Sequence, residues 1–450
     1  MANDLTPYIA KHWAMESVAV LFENAQMVHT VHRDFNALFA RHGDTVNTRK
    51  PRNFEGKRKH KGDSIVTSDA QSDNIAVVLN QHIYESFYLD DEDLTKSFKD
   101  LKNEFLDPAV KALARKLDRL LLGQVYQVVH QQAGSLGAMT KTNAVDYLTE
   151  AQKVLNENLV PDDNLRYLAV GTRANMLLLQ NNIFSAADVS GTTEHLIRGS
   201  LGTRFGLNLW MGQNVPSLSA DVSLGSGAIN NAAGYPVGTT VLTVDGFGAS
   251  EVVPGQWITI NGRPYHVSAT DNATATQLTL EYGLTEAVAD NDAIEVHDVA
   301  AVNNASGYAE GWAKEITIDG VAGGNLQVGQ MVTFGTTNTR YAVIKTNGTT
   351  SMELDRPLEA DIADNAVINF GPSGGDFNII YHRNLMTCAL RSLAPVVPGT
   401  GALSTSVNFN GIPMRLTISY DDDRQAQKCT LDFLAGVKIL DSDLGGVLLA

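Results

Sequence analysis

The chain has 450 residues, enough for two or three domains with cores of their own. Its hydrophobic content of 44% and charged content of 19% are those of a folded globular protein, and no apolar run approaches the roughly 18 residues a membrane helix needs. A net charge of −16 argues against nonspecific nucleic-acid affinity of the whole molecule, because most of its surface repels a polyanion.

The opening "MANDLTPYIAKHWAMESVAVLF" starts polar and acidic, without the basic start and apolar core of a secretory signal, so secretion is not expected. From about Tyr8 to Arg41 the spacing predicts a helix, with Val18, Leu21, Phe22, Ala25 and Val28 on one stripe and His29 and His32 at its edge. Two histidines so spaced can ligate a metal. No carboxylate or cysteine pattern accompanies them, and no metal or cofactor is expected.

The next stretch, "TVNTRKPRNFEGKRKHKGDSIV", breaks with the rest. Between Arg49 and Lys61 it carries Arg49, Lys50, Arg52, Lys57, Arg58, Lys59 and Lys61 against a single Glu, a local charge of +6 on a chain whose remainder sums to −22. Its flanks lean to β, with Ile65, Ile75, Val77 and Leu79 alternating, and predict a long hairpin over about Thr45 to Val78 with Pro51, Gly56 and Gly62 at its tip. An isolated hairpin is marginal in water, so it must lie on something. Nucleic-acid hairpins interleave aromatics for stacking, and this one has only Phe54. Exposed ion pairs contribute only about 0–1 kcal/mol each. Several acting together between identical subunits also fix register, and a repeated head-to-tail contact builds rings, shells or filaments.

The stretch from Tyr88 to Gln132 is the strongest helical signal. Asp90, Asp91, Glu92 and Asp93 suit a helix start; Leu94, Phe98, Leu101 and Phe105 mark one face; Val110, Leu113, Leu117, Leu120, Leu121 and Val125 continue it past a restart at Pro108. A second helix over about Asn143 to Leu159, the strand "LRYLAVGT" and the short helix "RANMLLLQN" then indicate an α+β or α/β body.

Composition shifts at Pro216 towards Gly, Thr, Asn and Val. Here the chain repeats: "LTVDGFGASEVVPGQWITI" matches "ITIDGVAGGNLQVGQMVTF", and "QLTLEYGLTEAVADNDAIEV" matches "SMELDRPLEADIADNAVINF" at the same offset. These are two copies of one small all-β module, about 239–298 and 313–371, inside an inserted domain over 218–372. The α+β body resumes over 373–450, so both ends of the insertion are planted in one parent domain.

No phosphate-binding glycine motif, nucleophile elbow or zinc-protease signature occurs. Asp421 to Asp423 lack the ligand spacing of a calcium loop and read as a turn between strands. Cys388 and Cys429 read as reduced, small apolar residues. No enzymatic activity is expected.

The order of these elements, with "DPAVKALARKLDRLLLGQVY", "FGLNLWMGQNVPSL", "IIYHRNLMTCALRSLAPV" and the C-terminal "LTISYDDDRQAQKCTLDFLAGVKILDSDLGGVLLA", resembles the major capsid protein of tailed bacteriophages. It is most similar to the coat protein of the short-tailed Salmonella phages. The resemblance implies the α+β Hong Kong 97-like fold: an N-terminal arm over 1–44, an extended hairpin or E-loop over 45–80, and a spine helix with the first part of the P- and A-domain core over 81–217. It implies a non-enzymatic shell subunit, assembled in the bacterial cytoplasm, whose hexamers and pentamers enclose double-stranded DNA without reading its sequence. Its partners would be further copies of itself, a scaffolding protein, a portal protein and a decoration protein, with no membrane and no cofactor. In the family the E-loop lies across the neighbouring subunit, which assigns inter-subunit contact to the seven basic residues from Arg49 to Lys61. The tandem insertion departs from the single insertion domain of the subgroup. The remaining alternative is a phage tail or adhesin protein whose β modules bind a receptor.

Overall fold

The computed structural model describes residues 15, 17, 21, 25–33, 45–49, 56–65, 67, 74–90, 105–185, 201–220, 225–249, 251–272, 274–321, 326–397, 399, 401–409 and 412–450. Helices and sheets are mixed in the body, as the alternation of patterns predicts. Two sheets organise it. The first is six-stranded, in the order Gln132–Gly134, Gly445–Leu449, Phe377–His382, Arg166–Val170, Leu207–Met211, Gly202–Arg204. The helices Ala144–Glu157 and Thr172–Leu179 contribute Tyr147, Leu148, Ala151, Leu155, Ala174 and Leu178 to a core against this sheet. In the second sheet the long Ala426–Ile439 strand pairs with Ile412–Asp421 and Met386–Arg391, and Ala402–Phe409 lies outside Ile412–Asp421. Residues 422–425 make the turn expected of the three aspartates, with Asp421 Oδ1 accepting from the Asp423 amide at 3.2 Å.

The strong helical stretch is shorter than its pattern suggests. Tyr88, Leu89 and Asp90 close the strand Gln81–Asp90, which runs antiparallel to Ala426–Ile439 from Asp90↔Ala426 to Gln81↔Ala435. Ile83 and Leu89 are buried while His82, Tyr84 and Asp90 face out, so this segment obeys the period of a strand. Leu94, Phe98 and Leu101 lie outside the described residues. The helix proper is Asp107–Leu122, with Pro108 in its first turn, where the missing N–H costs nothing. Val110, Leu113, Ala114, Leu117, Leu120 and Leu121 are its buried stripe. At Gly123 it tightens into a 3₁₀ segment, Gly123–Val128.

The N-terminal helix prediction holds at Met15, Ser17 and Leu21, which are helical, and is corrected further along. Met27–His29 is a 3₁₀ turn and His32 forms an isolated bridge with Thr387, so the two histidines do not share a helical face. Local propensity yields to packing here: Met27, Val28 and Val31 bury against the spine helix.

The chain leaves the body at Pro216 and returns at Phe377, whose amide donates to the Pro216 carbonyl at 2.9 Å. Between these points it closes two six-stranded barrels. The first uses Gly225–Ile229, Val241–Asp245, Trp257–Ile260, Arg263–Thr270, Gln277–Leu280 and Ala293–Val296. The second uses Val299–Val302, Ile316–Asp319, Met331–Phe334, Tyr341–Thr346, Ser351–Leu354 and Val367–Phe370, in the same closed order. Each opens with a strand that precedes the limits 239–298 and 313–371 read from the repeat, because Gly225–Ile229 is too glycine-rich to show alternation. The turns are locked identically: the Asn231 and Asn304 amides donate to Asp290 Oδ1 and Asp364 Oδ1, both at 2.9 Å, and the Thr243 and Thr317 amides donate to the Tyr235 and Tyr308 hydroxyls, both at 2.9 Å.

Candidate assembly interface

The basic segment stands on a two-stranded ribbon, Thr45–Arg49 against Asn74–Val78, in register from Thr45↔Val78 to Arg49↔Asn74. Val46, Val77 and Leu79 bury its base against Ala389 and Leu440. As the chain leaves the ribbon it crosses the long strand at Gly436, where a Cβ would lie 2.3 Å from the Val78 carbonyl oxygen. Only glycine allows that approach. Beyond the ribbon, residues 56–65 are exposed and present Lys57, Arg58, Lys59 and Lys61. Gly62, at φ 103°, and a 3.1 Å hydrogen bond from the His60 amide to Asp63 Oδ2 turn the chain there. Arg49 pairs through its backbone; its side chain, Lys50 and Arg52 lie outside the described residues.

A second contact ties residues 25–33 to the body. The Met27 amide donates to Asp118 Oδ1 at 3.3 Å, the Thr30 hydroxyl meets the Tyr381 hydroxyl at 2.7 Å, and the Cys388 amide donates to the His32 carbonyl at 3.0 Å. Burial pushes the Asp118 carboxyl up to about 7, against the opposing pull of the Met27 and Gln26 amides. Lys111 and Arg115 line the same cleft with Gln26 and Trp210. Among the described residues no group of three His, Cys, Asp or Glu could hold a metal ion.

Both barrels are tied to the body, the second of them directly to the spine. From the second, Glu353 takes Lys116 at 2.5 Å, the Ile344 carbonyl accepts from Arg119 at 3.2 Å, and Asp355 Oδ2 accepts from Gln124 at 2.9 Å. The Tyr126 hydroxyl donates to the Gly329 carbonyl. A Cβ on Gly123 would come within 2.8 Å of Ala342 Cβ, so the change from α to 3₁₀ winding falls at a close contact with the second barrel. Asp355 is fully buried, and burial raises its pKa while Arg356 at 3.1 Å opposes the rise. From the first barrel, Arg263 reaches Glu150 at 2.8 Å and the Pro264 carbonyl accepts from Gln132 at 2.6 Å. Arg340 joins the two barrels by gripping both oxygens of Glu281 at 2.9 and 2.8 Å. Trp257, Met331, Ala342 and Ile344 all bury in the same core as the spine helix.

Charge is segregated along the chain. Residues 219–372 hold eighteen Asp or Glu against five Lys or Arg, a net −13. Arg263, Arg340 and Arg356 among those cations are paired with carboxylates. Sequence reasoning found the basic tip but missed Asp118, Gly436 and the exposed residues that distinguish one barrel from the other. A position-by-position comparison of the two repeats carries the last signal.

The family described as phage capsid protein matches residues 41–215, which take in the ribbon, the spine helix and the first part of the body. A comparison with curated proteins gave no match. Among solved structures the chain is similar to one from Mycobacterium phage Che8, with 11% identity, a TM-score of 0.43 and coverage of 93% of this chain and 88% of that one. It is also similar to the capsid structure of the cyanophage P-SCSP1u, at 10% identity and a TM-score of 0.42 over 91% and 84% of the two chains. A third is the mature capsid of bacteriophage PhiM1, at 9% identity and 0.39 over 90% and 82%.

Proposed function

We propose that this chain is the major capsid protein of a tailed, double-stranded DNA bacteriophage, a non-enzymatic subunit whose copies close into an icosahedral shell. The observation that carries the reading is the phage capsid protein match over residues 41–215. The order of ribbon, spine helix and α+β body supports the Hong Kong 97-like form and the likeness to short-tailed Salmonella phages. In this reading 45–80 is the E-loop, and Arg49, Lys50, Arg52, Lys57, Arg58, Lys59 and Lys61 contact a neighbouring subunit. Subunit pairs would bury about 2,000 Å² or more, as obligate assemblies do. The −13 of the insertion favours an outward position, because packaged DNA would repel it from the lumen. A scaffolding protein and a portal are the partners proposed for this role, a decoration protein is an optional further one, and the virion is its location.

Electron microscopy of the purified protein, expressed with the scaffolding protein of its own phage, tests the reading. Closed shells or capsomers are expected from the parent. K57E/R58E/K59E/K61E should stay folded, with an unchanged melting temperature, and form no particles. Open tubes or fibres from the parent would move the function to a tail or adhesin, and shells from the reversed variant at normal yield would remove the tip from the interface.

A further inference from the structure

The duplicated barrel is its own control. What both copies share, such as Tyr235 and Tyr308 or Asp290 and Asp364, is what closing the barrel uses. Aligned on those pairs, the second barrel has Glu310, Trp312 and Asp361 where the first has Val237, Thr239 and Ala287. The first barrel closes with the same strand order without them, so the fold does not demand them.

These three residues meet on one rim. The Tyr308↔Ile362 bridge lays their two loops side by side, and the Glu310 amide donates to Asp361 Oδ1 at 2.7 Å. Glu310 and Asp361 are exposed. Trp312 is 37% exposed, with its ring braced on Tyr308 at 5.3 Å. The Lys314 ammonium sits 5.8 Å from the indole centroid, so the ring already faces a cation. Glu359, where the first barrel has Thr285, is already held by Arg356 at 3.0 Å.

We propose that this rim is the seat for the basic ribbon tip of a second copy of the chain, received by Trp312 through cation–π contact and by Glu310 and Asp361 through charge. The inference rests on the shell-forming reading above and names its receiving surface. Charge selects the occupant: a tip of +6 faces an insertion of −13. Among the described residues of the tip, 56–65 are exposed to solvent.

The test is a fluorescently labelled peptide of the sequence Arg49 to Lys61, titrated with the unassembled full chain at low salt and read by anisotropy. E310V/W312T/D361A installs the first barrel's own residues, so its fold is provided for, and it should weaken binding roughly tenfold. D245N/E295Q removes the same charge elsewhere on the insertion and should stay within about twofold of the parent. Equal binding by the parent and the rim variant would overturn the proposal. So would an equal loss in D245N/E295Q, which would mean diffuse attraction with no seat. Particle formation by the parent is scored separately: peptide bound at the rim with no shells would sink the capsid reading and leave the seat standing, while normal shells without rim binding would sink the seat alone.

Discussion

Replacing Asp118 by asparagine tests whether the buried carboxylate on the spine helix is a proton-dependent clasp. Asp118 is 5% exposed, and burial raises its carboxyl from the ordinary 3.8 to about 7. A separation of about three pH units corresponds to about 4 kcal/mol at 1.36 kcal/mol per unit. The folded value lies above the unfolded one, so the folded chain holds the extra proton between them. The stabilisation is therefore complete below about pH 4, declines as pH rises and is lost above about 7. The asparagine of D118N keeps an oxygen for the Met27 amide and carries no charge at any pH. Urea unfolding of parent and D118N, followed by tryptophan fluorescence between pH 5 and 8, should show the difference moving by about 3 kcal/mol in favour of the variant as pH rises. Hydrogen exchange at the Met27 amide should accelerate over the same range in the parent beyond the chemical trend. A free-energy difference that stays constant would refute the reasoning, because it would mean that Asp118 is already ionised and fully satisfied by the Met27 and Gln26 amides.

Three further outcomes follow from packing. Gly436→Ala should cost about 1–3 kcal/mol by forcing the ribbon off the long strand, with faster hydrogen exchange at Val46 and Val77 as its local mark. Trp257→Ala should cost about 3–5 kcal/mol and speed exchange in the spine from Leu117 to Val128 as well as in the first barrel; a response confined to the barrel would contradict the shared core. Cys388 and Cys429 are buried, with thiols pushed up to about 12, so a thiol reagent at pH 8 should label neither until denaturant is added.

What the sequence made legible was set by how local the cause was. The helices Ala144–Glu157 and Thr172–Leu179, the strand Arg166–Val170 and the aspartate turn announce themselves through periodicity, proline and turn residues. The tandem repeat was visible because both copies must satisfy the same turn geometry at Asp290 and Asp364. Gln81–Asp90 was harder: acidic residues beside Leu and Phe look like a helix start, and only the distant partner Ala426–Ile439 makes the segment a strand. Gly436 carries no signal of its own, since its role depends on a carbonyl from residue 78. The seven basic residues were plain as a charge anomaly, but what they face is a property of an assembled surface. The rim came within reach only once the structure showed which repeat positions close a barrel and which are spare.

The weld between insertion and spine bears on how a contact at that rim would be felt. The rim loops lead straight into Leu358, Arg356 and Asp355, and Asp355 is fixed by Gln124 on the 3₁₀ segment and by the Ala342 amide at 2.9 Å. Ala342 is the residue against which Gly123 fits, and Gln81, at the root of the ribbon, donates to the Asp355 carbonyl at 3.0 Å. A short, tightly packed path thus joins the proposed seat to the base of the chain's own ribbon, and packed interiors transmit displacement instead of absorbing it. If a neighbour's tip loads the rim, the displacement reaches the element that presents this subunit's tip to the next. In this reading the tandem insertion couples successive contacts around a capsomer, which a domain on a flexible stalk could not do.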